Sequence, residues 1–137
     1  MNKSMIEQTL SIIKPDAIER NLDIKIKNFF EKNNLKISRS KKVKISKEEA
    51  AEFYKVHQTK PFYNNLCDYL SSGPIVVMIL EGENAVSKNR QLMGATDPTK
   101  AEEGTLRKMY GLSIDKNSVH GSDSVANGKI EIDFFFK

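Results

Sequence analysis

The sequence predicts an α+β fold in which four antiparallel strands form one sheet and helices pack on one face of it. Three observations lead there. Strand-like segments alternate along the chain with segments whose apolar residues recur at helical spacing. The length of 137 residues is typical of one domain, so residues 1–137 should share one core. The longest apolar run, residues 75–80, is too short to cross a membrane.

The first half of the chain contains two predicted strands and three predicted helices. Residues 10–13 form the first strand. A helix follows, because apolar residues recur at helical spacing: Ile18, Leu22, Ile26, Phe29 and Phe30. Residues 35–45 alternate basic and apolar side chains, as a half-exposed strand does. Ser46 and Glu49 have the spacing of a capping box, and Pro61 opens a second short helix.

The second half contains two more predicted strands. Residues 75–80 are apolar throughout, as in a strand buried on both faces, and residues 84–92 predict a helix. Residues 94–128 hold five of the seven glycines and only a short helical pattern; so long a connection is usually functional. Residues 130–136 alternate apolar and acidic side chains and predict the final strand. This order of elements indicates a ferredoxin-like sandwich.

Composition restricts the kind of protein and the kind of partner. The single cysteine, Cys67, excludes an internal disulfide and a zinc site built from several thiolates, which fits a reducing cytoplasm. Lysine and arginine number 22 against 18 acidic residues. This mildly basic balance favours polyanionic partners, either nucleic acid or small phosphorylated molecules.

The segment 117–124, NSVHGSDS, places one of the two histidines among glycine, serine and acid. The imidazole of His120 could act as a nucleophile and then leave again. A nearby serine, Ser122, could help to hold one ring nitrogen. Glu131 lies close enough in sequence to orient the ring if the loop folds back. The residues alone leave open a solvated polar loop and an ordinary surface glutamate.

Other residues could hold a phosphorylated ligand. Arg90 and Arg107 lie beside or within the long connection, and guanidinium groups suit phosphate oxygens. Phe62 and Leu66 are one helical turn apart and could clamp a flat ring, although core packing explains them equally. Lys14 ends the first strand, where sheets often present functional groups.

Residues 36–47 carry six cations and no acid, which is the main feature that favours nucleic-acid binding. The segment lacks interleaved aromatic residues, and a solvated strand face explains it at least as well. We therefore do not expect a nucleic-acid partner.

Four motifs together resemble one enzyme family. They are I-K-P-D at 13–16, N-R-x-L-M-G-A-T at 89–96, G-T-L-R at 104–107 and N-x-x-H-G-S-D-S at 117–124. With these motifs in the family's order, residues 9–136 closely resemble nucleoside diphosphate kinase.

The resemblance implies roles for individual residues. His120 would accept phosphate as a phosphohistidine, with Glu131 and Ser122 fixing its ring. The implied substrate-binding side chains are Lys14, Phe62, Arg90, Thr96, Arg107 and Asn117. Tyr54 and His57 would line the same pocket. Mg2+ would be held mainly by the nucleotide phosphates, so no metal ligand is expected from the protein.

The resemblance also implies an activity and an assembly. The chain would transfer the terminal phosphate of a nucleoside triphosphate to a nucleoside diphosphate by a ping-pong mechanism, with broad base specificity. It would be a cytoplasmic homo-oligomer, a tetramer or a hexamer. Two alternatives are a basic nucleic-acid-binding module and an inactive relative that has lost a catalytic residue.

Overall fold

Four antiparallel strands form one sheet in the order β2-β3-β1-β4 in the computed structural model, which describes residues 6–114 and 116–136. The strands are β1 (Ile6–Ile13), β2 (Lys36–Val43), β3 (Ile75–Glu83) and β4 (Val119–Gly121). The helices are α1 (Pro15–Glu19), α2 (Asp23–Lys32), α3 (Lys47–Phe53), α4 (Tyr63–Leu70), α5 (Ala85–Met93), α6 (Leu106–Tyr110) and α7 (Val125–Phe136). Two short 3-10 helices are Lys55–His57 and Pro98–Lys100.

The predicted fold class is confirmed, but helices pack on both faces of the sheet rather than one. Val76 and Met78 of β3 face a core cluster that includes residues of α1, α2, α5 and α6. Ile75 and Val77 face a second cluster with residues of α3, α4 and α7. The physical reason lies in β3 itself: all of residues 75–80 are buried, so both of its faces need cover.

The predicted final strand is wrong, because residues 125–136 form helix α7. The fourth strand is instead β4, a three-residue strand that contains His120. Apolar residues are so dense after position 129 that an alternating pattern arises without a strand. Ser124 is the residue that could have indicated a helix start. Its Oγ accepts a hydrogen bond from the backbone N–H of Asn127 at 3.1 Å, as an N-cap side chain does.

The predicted first helix is divided into α1 and α2. Asn21 adopts a left-handed conformation between them, with φ of 58°, which a continuous helix does not allow. The other helix and strand predictions of the first half are confirmed, within a few residues at their ends. The capping box is also confirmed, because Ser46 Oγ accepts from Glu49 N–H and Glu49 Oε1 accepts from Ser46 N–H, both at 3.0 Å.

The topology determines where the site can lie. β4 pairs with β1 at one edge of the sheet, and His120, the central residue of β4, stands opposite Ile12. Lys14 follows the end of β1, and its backbone N–H donates to Ser118 O at 2.8 Å, next to β4. Of the helices described, none combines the length and the apolarity needed to cross a lipid bilayer.

We expect Ser46→Ala to lower the free energy of unfolding by about 1 kcal/mol, because two capping hydrogen bonds of α3 are lost. Chemical denaturation measures this change. Ser87→Ala is the control, since Ser87 is exposed inside α5 and alanine favours a helix interior. Equal stability of the Ser46→Ala protein and wild type would contradict the assignment of the cap.

Candidate active site

A chain of hydrogen bonds holds the ring of His120 from behind. Glu131 Oε1, on α7, lies 3.1 Å from His120 Nε2 and accepts from Ser122 Oγ at 2.7 Å. Ser122 Oγ in turn accepts from the backbone N–H of Leu10 at 3.1 Å. Ser122 and Leu10 are fully buried, and the side chain of His120 is 20% exposed. The structure therefore brings together His120, Glu131 and Ser122, as the sequence predicted.

The direction of these bonds determines which ring nitrogen can react. Since the N–H of Leu10 donates to the oxygen of Ser122, the hydroxyl proton of Ser122 points to Glu131. A carboxylate can only accept, so Nε2 of His120 is the protonated nitrogen. Nδ1 of the neutral ring then carries the lone pair. The arrangement suits an imidazole that attacks through Nδ1 while Glu131 stabilises the positive charge that develops on the ring.

An aromatic residue that the sequence did not assign to the site also fixes the ring. Phe53, at the end of α3, contacts His120 edge to face, with 5.3 Å between ring centroids. Nothing in the sequence linked Phe53 to the strand of His120, because 67 residues separate the two. Tyr54, the next residue, is buried; burial, followed by the charge of Glu131, raises the pKa of its hydroxyl.

A second hydrogen-bonded group joins Lys14, Asn117 and Thr96. Lys14 Nζ donates to Asn117 Oδ1 at 2.9 Å, and Asn117 Nδ2 donates to the carbonyl oxygen of Thr96 at 3.1 Å. Lys14 and Asn117 are buried to more than nine tenths. Residues from three distant parts of the sequence thus meet, as expected if they bind one ligand.

The third group lines a cavity of about 760 Å³. His120 lines a second cavity, of about 630 Å³, and Asp123 borders both. Arg90, Thr96 and Arg107 all contribute to its wall, as does Asp123. Among the described residues, neither arginine forms an ion pair with a carboxylate. Glu7 and Asp123 lie in the same wall, and the charge of Arg90 helps to lower the pKa of Asp123. Two guanidinium groups that form no close ion pair at one concave surface still favour an anionic ligand.

Arg107 also has a structural role, which the sequence did not indicate. Its Nη1 donates to Gly94 O at 3.0 Å and its Nη2 to Val119 O at 2.9 Å, so it links the long connection to the strand of His120. Burial, followed by the positive charge of Arg90, lowers its pKa to about 10. The group is therefore still a cation at neutral pH.

Phe62 is joined to the other predicted site residues only through His57 among the described ring contacts. Its ring is 43% exposed and lies 6.1 Å from that of His57, centroid to centroid. His57 is 6.3 Å from Tyr54, whose ring contacts Phe53, so a row of rings leads from Phe62 to His120. Leu66 packs against the apolar core on the α4 side of the sheet, which supports its interpretation as a core residue.

The described residues contain no cluster of three or more His, Cys, Asp or Glu side chains that could hold a metal ion. The basic segment 36–47 is partly engaged within the molecule. Lys47 pairs with Asp68 at 2.8 Å, and the cationic groups of Arg39 and Lys41 lie 4.9 and 5.0 Å from the ring centre of Phe136.

Comparisons with known proteins agree on one family. Residues 7–137 match the family model described as nucleoside diphosphate kinase. The chain is 58% identical over 131 residues to the nucleoside diphosphate kinase of a Nitratiruptor species, with 96% of each protein covered. The Campylobacter hominis protein of the same name is also 58% identical, with the same coverage.

Solved structures show the same similarity. A crystal structure of the Aquifex aeolicus nucleoside diphosphate kinase superposes with a TM-score of 0.95 at 38% identity, covering 97% of this chain and 96% of that one. The apo crystal structure of the Encephalitozoon cuniculi nucleoside diphosphate kinase superposes with a TM-score of 0.92 at 38% identity. The match covers 95% of this chain and 88% of that one.

We expect Arg107→Ala to destabilise the protein by about 3 kcal/mol, because two charge-assisted bonds to backbone carbonyls are lost in a buried place. Arg90→Ala is the matched comparison: Arg90 is exposed on the same cavity, and its removal should change stability by less than about 0.5 kcal/mol. Melting curves with and without ADP measure both effects, and both variants should lose most of the ADP-induced shift. A melting temperature of Arg107→Ala equal to that of wild type would contradict the structural role of Arg107.

Proposed function

The chain belongs to the nucleoside diphosphate kinase family, and we propose that it transfers phosphate in two steps through Nδ1 of His120. The protein is an enzyme, a phosphotransferase that acts on nucleotides. The observation that carries the two-step proposal is the hydrogen bond between Nε2 of His120 and Glu131, which leaves Nδ1 as the nucleophile.

In the first step the lone pair of Nδ1 attacks the terminal phosphorus of a nucleoside triphosphate. An N–P bond forms, the P–O bond to the bridging oxygen breaks, and the nucleoside diphosphate leaves with the electron pair. The proton on Nε2 stays in place, where the carboxylate of Glu131 offsets the ring's positive charge. In the second step a terminal oxygen of another nucleoside diphosphate attacks the same phosphorus and the N–P bond breaks.

Lys14, Arg90 and Arg107 supply the positive charge that phosphate transfer needs. A transferring phosphoryl group spreads negative charge over its oxygens, so positioned cations stabilise the transition state. Arg90 and Arg107 line one cavity, and Arg107 bonds to the residue before His120. Thr96 and Asn117 complete this set, with Asn117 beside the ammonium group of Lys14.

Mg2+ enters in this proposal as part of the nucleotide substrate, bound to phosphate oxygens. The described residues provide no carboxylate cluster for a metal site. Protein cations around the phosphates agree with a metal that the nucleotide carries, because Mg2+ commonly uses substrate phosphates and water as ligands.

Broad base specificity follows from the use of a ring face. Phe62 is the exposed aromatic residue at the end of the row of rings, and its neighbour Lys60 places Nζ 5.9 Å from the ring centre. Every base offers a π face, so stacking on Phe62 discriminates little between bases. Leu66, on α4, packs against the second core cluster, so we assign it to the core rather than to the ligand.

We also propose a cytoplasmic homo-oligomer, a tetramer or a hexamer. Leu112 and Ile114, in the segment between α6 and β4, are 61% and 56% exposed, which is costly unless another surface covers them. The buried free thiol of Cys67 agrees with a reducing compartment. Light scattering on the purified protein determines the number of subunits.

The His120→Ala variant tests the proposed nucleophile. We expect initial-velocity plots of the wild type to form parallel lines, as a ping-pong mechanism requires, and turnover of the variant to fall at least about a thousandfold. Its melting curve should stay close to that of wild type, since the ring is partly exposed. Near-normal turnover of a folded variant would exclude His120 as the nucleophile.

Removal of the ring at position 62 tests the stacking proposal. We expect Phe62→Ala to raise the KM of ADP, GDP, CDP and UDP by about tenfold each, since stacking contributes about 1–3 kcal/mol per base. Phe62→Tyr retains the ring and should behave as wild type. A change confined to one base would show that Phe62 reads base identity instead.

A further inference from the structure

The buried carboxylate of Asp16 forms hydrogen bonds with three other residues, next to the proposed substrate-binding residues Lys14 and Asn117. Asp16, in α1, is only 5% exposed. Its Oδ2 accepts from Ser118 Oγ at 2.8 Å and from Arg20 Nη2 at 3.0 Å. Its Oδ1 accepts from the hydroxyl of Tyr69 in α4, and that hydroxyl accepts from the backbone N–H of Asp16 at 2.8 Å. We call these four residues, Asp16, Arg20, Tyr69 and Ser118, the Asp16 network.

Ser118 has a backbone conformation that needs such support. Its φ is 74°, in the left-handed region that costs a residue with a Cβ about 1–2 kcal/mol. The side chain is fully buried, and its Oγ both donates to Asp16 and accepts from Arg20 Nη2 at 3.2 Å. These bonds fix the direction in which the chain enters β4.

The neighbours of the network are two of the proposed substrate-binding residues. Lys14 lies two residues before Asp16, and Asn117 lies directly before Ser118. Lys14 N–H donates to Ser118 O at 2.8 Å, and Lys14 Nζ donates to Asn117 Oδ1 at 2.9 Å. A rotation at Ser118 would therefore move both the amide of Asn117 and its contact with the ammonium group.

The network also reaches the helix that carries Arg107. Arg20 Nη2 donates to the carbonyl oxygen of Tyr110, the last residue of α6, at 2.6 Å. Asp16 thus connects α1, α4 and the residue that precedes β4 directly, and α6 through Arg20. Hydrogen bonds that end on a buried carboxylate are stronger than neutral ones, and the buried charge is costly when one of them is lost.

We propose that Tyr69, Asp16 and Ser118 are positioning residues of the kinase, which hold Lys14 and Asn117 in the geometry that receives the nucleotide. None of the three takes part in the chemical step. This inference rests on the proposed substrate-binding roles of Lys14 and Asn117. It assigns to the Asp16 network an effect on nucleotide affinity in addition to its effect on stability.

Tyr69→Phe tests the inference, with Tyr63→Phe as its matched control. Both tyrosines are partly buried in α4, and each hydroxyl donates one bond to another segment, that of Tyr63 to Ala51 O at 2.9 Å. We expect Tyr69→Phe to weaken ADP binding, measured by calorimetry, by about tenfold, the usual loss for a bond to a charged group. Tyr63→Phe should bind ADP as wild type does, although both variants should melt at lower temperature.

Two further variants separate a positioning effect from a general loss of structure. Ser118→Gly removes the hydroxyl but allows φ of 74° without strain, so it should bind ADP more tightly than Ser118→Ala. In an Asn117→Ala background, Tyr69→Phe should weaken ADP binding by less than about threefold, because the two residues act through one contact.

Each outcome decides the inference. Equal ADP affinities of Tyr69→Phe and Tyr63→Phe, or a full tenfold loss that persists without Asn117, would overturn it. The proposed two-step transfer is tested separately, since wild-type turnover and its dependence on His120 do not require any effect of Tyr69. If Tyr69→Phe left ADP affinity unchanged, the proposed two-step transfer would stand. If the wild type did not bind ADP at all, both the two-step transfer and the positioning role would be contradicted.

Discussion

The proposed chemistry of this site depends on the carboxylate of Glu131. It accepts one hydrogen bond from Ser122 and one from Nε2 of His120, and the backbone of β1 orients the Ser122 hydroxyl. A neutral imidazole can place its proton on either nitrogen, and only one of the two tautomers presents Nδ1 as a nucleophile. The fold selects that tautomer by ending a chain of donors on an acceptor that cannot donate.

Both the sheet and the helices position the residues of the site. β4 is only three residues long, yet pairing with β1 fixes the backbone of His120, and α7 returns from the end of β4 to bring Glu131 beside the ring. The cationic side of the site is held differently. Arg107 is buried and bonded to backbone carbonyls, whereas Arg90 is exposed and free of ion pairs among the described residues. One arginine therefore organises the cavity and the other remains available to an anion.

Much of the site could be read from the sequence, and the failures have identifiable causes. Glu131 was assigned to His120 even though its element was predicted as a strand, because a short separation allows the contact in either form. The helix was missed since the dense apolar residues after position 129 imitate alternation. Phe53 and the Asp16 network were missed for another reason: their contacts join segments far apart in the chain, which local patterns do not report. Cover on the second face of the sheet could have been expected from the unbroken apolar run of β3.

The position of phosphorus on the ring of His120 is the most direct test of the central claim. The purified protein can be treated with ATP, isolated from nucleotide at alkaline pH, and studied by phosphorus and nitrogen NMR with labelled histidine. The account predicts one phosphorus bonded to Nδ1 of His120, which discharges when a nucleoside diphosphate is added. Phosphorus on Nε2, on another residue, or on no residue would contradict it.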